Sequence, residues 1–164
     1  MKWEKLLSGK APWFHAIKLS PADATDLVHH AEKAYADGAV HRILRGRKMF
    51  TKQALFDEVA AALQFPVYFG ENWDALNECL IDLNWLPRGA VVLLITEADE
   101  LPRHLDKEFI PFLMVLKTAV VERNSRIPGD DASLHVIFQL SATGSAQFAA
   151  VCKAKGMDLD LLKL

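Results

Sequence analysis

Asp74, Glu78 and Asp82 stand four residues apart, the spacing that stacks side chains on one face of a helix. Carboxylates so arranged suit three kinds of chemistry: acid–base catalysis, cation binding, or attraction of a basic surface. Catalysis needs a pair whose surroundings separate their pKa values inside a cleft, and a helix surface is convex. A hard cation needs further oxygens from a wrapping loop, which Glu71 with Asp74 alone do not supply. There remains charge attraction, set against the ordinary alternative of a solvated acidic face. Two features favour attraction. Like charges at this spacing cost about 0.3 kcal/mol per pair, and Asp82 falls in the last turn, where the helix dipole favours a cation. The acids are also concentrated: from residue 66 to 108 nine acids face three bases, a net of −6 in a chain of −2. Such a field draws basic partners and repels nucleic acid.

The segment that must hold these carboxylates runs from Phe65 to Pro87. Pro66 fixes its own φ and turns Phe65 away from helix, and Gly70 offers positive φ in the turn that follows. Asn72 is placed to cap a helix whose Trp73, Leu76, Cys79, Leu80 and Leu83 recur as one apolar stripe. Leu86-Pro87 is the expected stop, because proline cannot continue the ladder.

The remaining chain bounds the function. Its 164 residues are one domain by expectation, half apolar and a quarter charged, with no low-complexity stretch. No run of eighteen apolar residues and no signal-peptide pattern occurs, and Cys79 and Cys152 read as reduced core thiols. Both points indicate the cytoplasm. A Gly-rich phosphate loop, a nucleophile elbow and a metal-spaced His/Cys/Asp cluster are all missing, so no enzyme, cofactor or metal is expected. Arg45-Gly46-Arg47-Lys48 lacks interleaved aromatics and reads as a solvated turn rather than a nucleic-acid contact. Adjacent His29 and His30 point apart on a helix and read as surface residues, and His135 as an ordinary strand histidine.

Periodicity arranges the elements as β-α-β-α-α-β-α-β-α. Strands are expected over Trp13 to Leu19, 39–44, 90–96 and 134–140. The unbroken apolar run Val91-Val92-Leu93-Leu94-Ile95 suits a strand buried on both faces. Helices are expected from Ser20-Pro21 to Gly38, after Thr51, from Asp106 or Ile110 through Val120, and from Ser145 to Lys155, with Arg123 to Ser133 as a loop. An α/β layer fold with a small, mainly parallel sheet follows.

At the acidic segment the sequence resembles the barstar family, intracellular inhibitors of the bacterial ribonuclease barnase. The family signature is a proline, an aromatic pair, Gly-Glu-Asn, an apolar residue, Asp-Ala-Leu and, shortly after, Cys-Leu. Here it reads Pro66-Val67-Tyr68-Phe69-Gly70-Glu71-Asn72-Trp73-Asp74-Ala75-Leu76, then Cys79-Leu80. The register runs without a gap to Pro87. The resemblance implies a barstar-like layered fold with an extra N-terminal strand and helix. It divides the chain into a 1–42 extension, a family core over about 43–140, and a C-terminal helix and tail over 141–164. It also implies a cis peptide at Leu86-Pro87.

By the same resemblance, the acidic helix and its preceding loop would plug the basic active site of a ribonuclease of the barnase type. The contact would comprise Tyr68, Gly70, Asn72, Trp73, Asp74, Asn77, Glu78, Ile81 and Asp82. Asp74 and Glu78 would be the principal charges, and Tyr68 would cover a partner side chain at the rim. Glu122 stands where a later acidic contact is expected. Departures bear on the partner: Phe69 lacks a second tyrosine hydroxyl, Glu78 is longer than the usual aspartate, and Asn77 and Leu83 replace tryptophans. A different class of protein remains open, namely an interaction or immunity protein on this scaffold that binds another basic protein or toxin. Neither reading involves a membrane or a nucleic acid.

Overall fold

The computed structural model describes residues 10–34, 39–126 and 132–163. Residues 1–9, the expected helix stop at Gly38 and the Pro128-Gly129-Asp130-Asp131 turn lie outside them. Strands β1 (Phe14–Ile17), β2 (Ala39–Arg45), β3 (Ala90–Thr96), β4 (Leu134–Gln139) and β5 (Asp160–Leu161) form one sheet in the order β2-β3-β4-β1-β5. Every pairing is parallel. The helices are α1 (Pro21–Ala34), α2 (Lys52–Leu63), α3 (Trp73–Asp82), α4 (Leu101–Leu105), α5 (Phe109–Arg126) and α6 (Ser145–Ala154).

All seven residues of β3 and all six of β4 are buried, as central strands covered on both faces require. Alternate side chains enter two cores. Ile17, Val92, Leu94 and Ile137 meet Ala24 and Val28 of α1 on one face. Val91, Leu93, Ile95, Val136 and Phe138 meet α2, α3, α5 and α6 on the other, which holds most of the large side chains. The sheet histidines are core residues, with His15 and His135 fully buried and their ring nitrogens 3.2 Å apart. Cys79 and Cys152 are buried and unpaired as disulfides. No helix among the described residues is long and apolar enough to cross a membrane.

Four expectations are corrected. The acidic helix ends at Asp82, with Leu83 in the left-handed region at φ 43 closing it, rather than at Leu86-Pro87. Leu83 thereby keeps its side chain in the core while the chain turns, and Leu86 donates to the Leu83 carbonyl in a further turn. The cis peptide lies at Ala11–Pro12, and Leu86–Pro87 is trans. Helix α5 continues to Arg126, so Arg123 is helical and 5% exposed instead of part of a loop. The tail adds an edge strand, β5, which the two-residue pairing of Asp160 and Leu161 with β1 makes too short to show as alternation.

Candidate binding face on the acidic helix

The loop before α3 is built from turns and aromatic contacts. Phe65 donates its amide to Ala60 at 2.9 Å and Phe69 donates to Pro66 at 2.9 Å. The rings of Phe65 and Phe69 meet edge-on at 4.9 Å between centres, and Phe69 meets Phe56 of α2 at 5.8 Å. Trp85, beyond the helix, contacts Phe65 at 5.8 Å and donates its indole N–H to the Leu63 carbonyl at 2.8 Å. Loop and helix are therefore anchored to the end of α2 by the same aromatic group. Val67 and Tyr68 at its tip find no place in that group; Val67 is fully exposed and Tyr68 75% exposed.

The positive φ needed to enter α3 is taken by Glu71, at 49°, and not by Gly70. Glu71 is held there by Gln53 of α2, whose amide donates to Glu71 Oε1 at 2.9 Å and to Asp57 at 3.0 Å. Gly70 serves by its small size, since a Cβ there would lie 3.2 Å from the Asn72 amide nitrogen. Asn72 performs the expected cap. Its Oδ1 accepts from the Ala75 amide at 2.9 Å, and its Nδ2 donates to the Gly70 carbonyl at 3.1 Å.

From this start α3 buries Leu76, Cys79 and Leu80 and turns Asp74, Glu78 and Asp82 outward. None of the three carboxylates has an ion-pair partner among the described residues. Asp82 accepts from the Asn84 side chain just beyond the helix. Asn77 and Ile81 are half-buried beside them, and Asn77 Oδ1 is buried without a hydrogen-bond partner. Asn77, Glu78, Ile81 and Asp82 form one wall of a groove of about 590 Å3, with Glu122 and Arg126 of α5 on the other. Tyr68, Gly70, Glu78 and Asp82 share a smaller concavity of about 130 Å3 between loop and helix. Six of the nine expected residues, Tyr68, Gly70, Asn77, Glu78, Ile81 and Asp82, line these two depressions, while Asn72 and Asp74 stand at the helix start outside them. Trp73 stands apart: it packs on Phe56 at 5.0 Å, with the Lys52 ammonium 5.0 Å from its ring centre, so it faces α2.

Glu122 lies across the groove from Glu78 and Asp82 and pairs with Arg126 four residues on. Arg123 is the residue that sequence reasoning missed. Its guanidinium donates to the carbonyls of Ile81 and Asp82 at 2.6 and 2.7 Å and to that of Ala132 at 2.9 Å. It therefore places a cation on the C-terminal carbonyls of α3, offsetting the dipole at the end where Asp82 is worst placed. Burial lowers the Arg123 pKa from its ordinary value, and the Asp82 charge opposes that shift. Burial, with help from Asp82 and Glu78, raises that of the Cys79 thiol. The sequence signal for Arg123 is slight: a basic residue in the last turn of a helix that outruns its apolar pattern beyond Val120.

A family model described as Barstar (barnase inhibitor) matches residues 39–136, which run from β2 into β4 and contain the whole of this face. The chain belongs to the Barstar family. The family is one of inhibitors of a ribonuclease, and its model leaves β1, α1, α6 and β5 outside the match. No curated protein sequence matches. Among solved structures, the ORC2 protein of Aeropyrum pernix in its ADP form is 12% identical, with a TM-score of 0.65 over 98% of this chain and 44% of that one. The ORC1 protein of Aeropyrum pernix in complex with DNA is 14% identical, with a TM-score of 0.65 over 93% and 39%. Cdc6p from Pyrobaculum aerophilum is 16% identical, with a TM-score of 0.56 over 97% and 41%. The chain spans less than half of each of these three proteins, and the likeness is one of fold, the parallel α/β layer to which the flanking strands contribute.

Proposed function

We propose that this Barstar-family chain inhibits a ribonuclease by setting the acidic face of α3, with the 65–72 loop, into the enzyme's basic active site. The observation that carries this reading is the state of Asp74, Glu78 and Asp82. They are exposed, aligned on one face and without a counter-ion among the described residues, beside an exposed Tyr68. Carboxylates left in this state cost little in water and gain strong charge-assisted bonds when Arg or Lys of a partner replaces the water. Asn77 lines the same groove beside Glu78 and Asp82. Tyr68 supplies a flat amphipathic ring of the kind that covers a partner side chain at an interface rim.

In this reading the carboxylates occupy the places of RNA phosphates, and the face does no chemistry of its own. The test is titration of the protein into a small guanyl-specific bacterial ribonuclease, following RNA cleavage at low and moderate salt. Stoichiometric inhibition that weakens with salt is expected. A folded sample that leaves cleavage untouched would remove this enzyme as the partner. The second reading, a different basic toxin, rests on the longer Glu78 side chain and on Asn77 in the groove; a pull-down retained by wild type and lost in Asp74→Ala would then support it.

A further inference from the structure

A crevice of about 830 Å3 lies over the carboxyl ends of the strands, and none of its lining residues belongs to the groove along α3. Open parallel sheets form such crevices where loops leaving neighbouring strands go to opposite faces. Here that place is between β1 and β4, since β1 leads to α1 on one face and β4 to α6 on the other.

The loops that wall it are tied together. Gln139, buried at the end of β4, accepts from the Glu97 amide at 2.6 Å and donates to the Leu19 carbonyl at 2.7 Å, joining β3 and β1. Asp99 accepts from the Ser141 amide at 3.1 Å and from its hydroxyl. Glu97 is held at φ 52, a left-handed conformation that a non-glycine residue keeps only where its surroundings impose it.

The groups presented there are specific. Lys18 and Arg47 line the crevice, and neither has an ion-pair partner among the described residues, whereas Arg103 is held by Glu100. Phe50 is 56% exposed, with its ring 4.6 Å from that of His104, whose Nδ1 is buried without a hydrogen-bond partner. Two unpaired cations suit an anion, and a half-exposed ring gains burial against a flat group. The Glu97 and Asp99 carboxylates add acceptors for hydroxyl or amino hydrogens. We propose that this crevice binds a small phosphorylated molecule bearing a flat heterocycle, of the class of a nucleoside monophosphate. Its phosphate lies at Lys18 and Arg47 and its ring against Phe50.

The experiment is titration of the full chain with AMP and with GMP, read by calorimetry and by amide chemical shifts. Inorganic phosphate and adenosine are titrated in parallel. Saturable binding of at least one nucleotide is expected, with shifts at residues 18–20, 47–50 and 139–142. It should weaken about tenfold or more in Lys18→Ala/Arg47→Ala and in Phe50→Ala. It should be unchanged in Asp74→Ala, with all variants melting as wild type does. Failure of both nucleotides to saturate would overturn the proposal. So would affinity retained in Lys18→Ala/Arg47→Ala, or inorganic phosphate or adenosine binding as tightly as the nucleotides.

Discussion

Two carboxylates on successive helices of this protein live in opposite conditions. Glu58 of α2 is 9% exposed and accepts three bonds from Arg45: from its amide at 2.9 Å, its Nε at 2.8 Å and its Nη2 at 2.9 Å. Glu78 of α3 is exposed and has no ion-pair partner among the described residues, and Asp74 and Asp82 share that state. Burial acts to raise the Glu58 pKa, but the hydrogen bonds and charge of Arg45, with Lys48 adding a little, outweigh it and hold the carboxyl below its ordinary 4.5. The comparison separates charge used for folding from charge held in reserve. Glu58 fastens the end of β2 to α2, whereas Asp74 and Glu78 hold no partner among the described residues and Asp82 accepts only from the neighbouring Asn84 side chain.

This division predicts how each region breaks. The largest effect belongs to Asp74→Ala with Glu78→Ala, which should weaken ribonuclease inhibition by about 2 kcal/mol or more per charge, a magnitude measured on complexes that include the type inhibitor of this family. Inhibition constants check it. Next comes Arg123→Ala. Losing three buried bonds and the cation at the end of α3 should lower stability by about 3 kcal/mol, read by urea unfolding. Glu58→Ala should cost about 2 kcal/mol in the same assay, since Arg45 is half exposed and recovers some water, and should leave inhibition intact in the folded fraction.

The pH dependence follows from Glu58 with a definite sign. Its folded pKa is depressed, so its contribution is present above the unfolded value near 4.5 and is lost as pH falls through the lower folded value. Wild type should therefore lose stability on acidification below pH 4.5 more steeply than Glu58→Gln, measured by thermal melts across that range. The smallest effect concerns the thiols. Burial pushes Cys152 up to about 12, and burial with the nearby Asp82 and Glu78 raises Cys79, so neither should react with a thiol reagent until the chain unfolds.

Much of this architecture is legible in the sequence. The Asn72 cap, the Leu76, Cys79 and Leu80 stripe, the outward turn of Asp74, Glu78 and Asp82, and the strands at β2, β3 and β4 follow from local rules of spacing and capping. What stays hidden depends on partners distant in the chain. Glu71, rather than Gly70, takes the positive φ because Gln53 of α2 waits for its carboxylate. Trp73 turns toward α2 because Phe56 and Lys52 are there. Arg123 reads as a loop cation until the carbonyls of Ile81 and Asp82 are seen above it. Helix α3 stops at Leu83 instead of Pro87 because a left-handed residue closes it while its side chain stays in the core.

The most direct test pairs two readings on one sample: the melting temperature and the inhibition constant of Asp74→Asn/Glu78→Gln/Asp82→Asn beside those of Glu58→Gln. Neutralising the α3 face should leave the melting temperature near that of wild type, since the relieved repulsion of about 0.3 kcal/mol per pair is offset by loss of the Asp82 charge that supports the buried Arg123, while inhibition is lost. Glu58→Gln should melt earlier and still inhibit. A triple variant that melts early yet inhibits as wild type does would contradict the account, because the acidic face would then be serving the fold and not a partner.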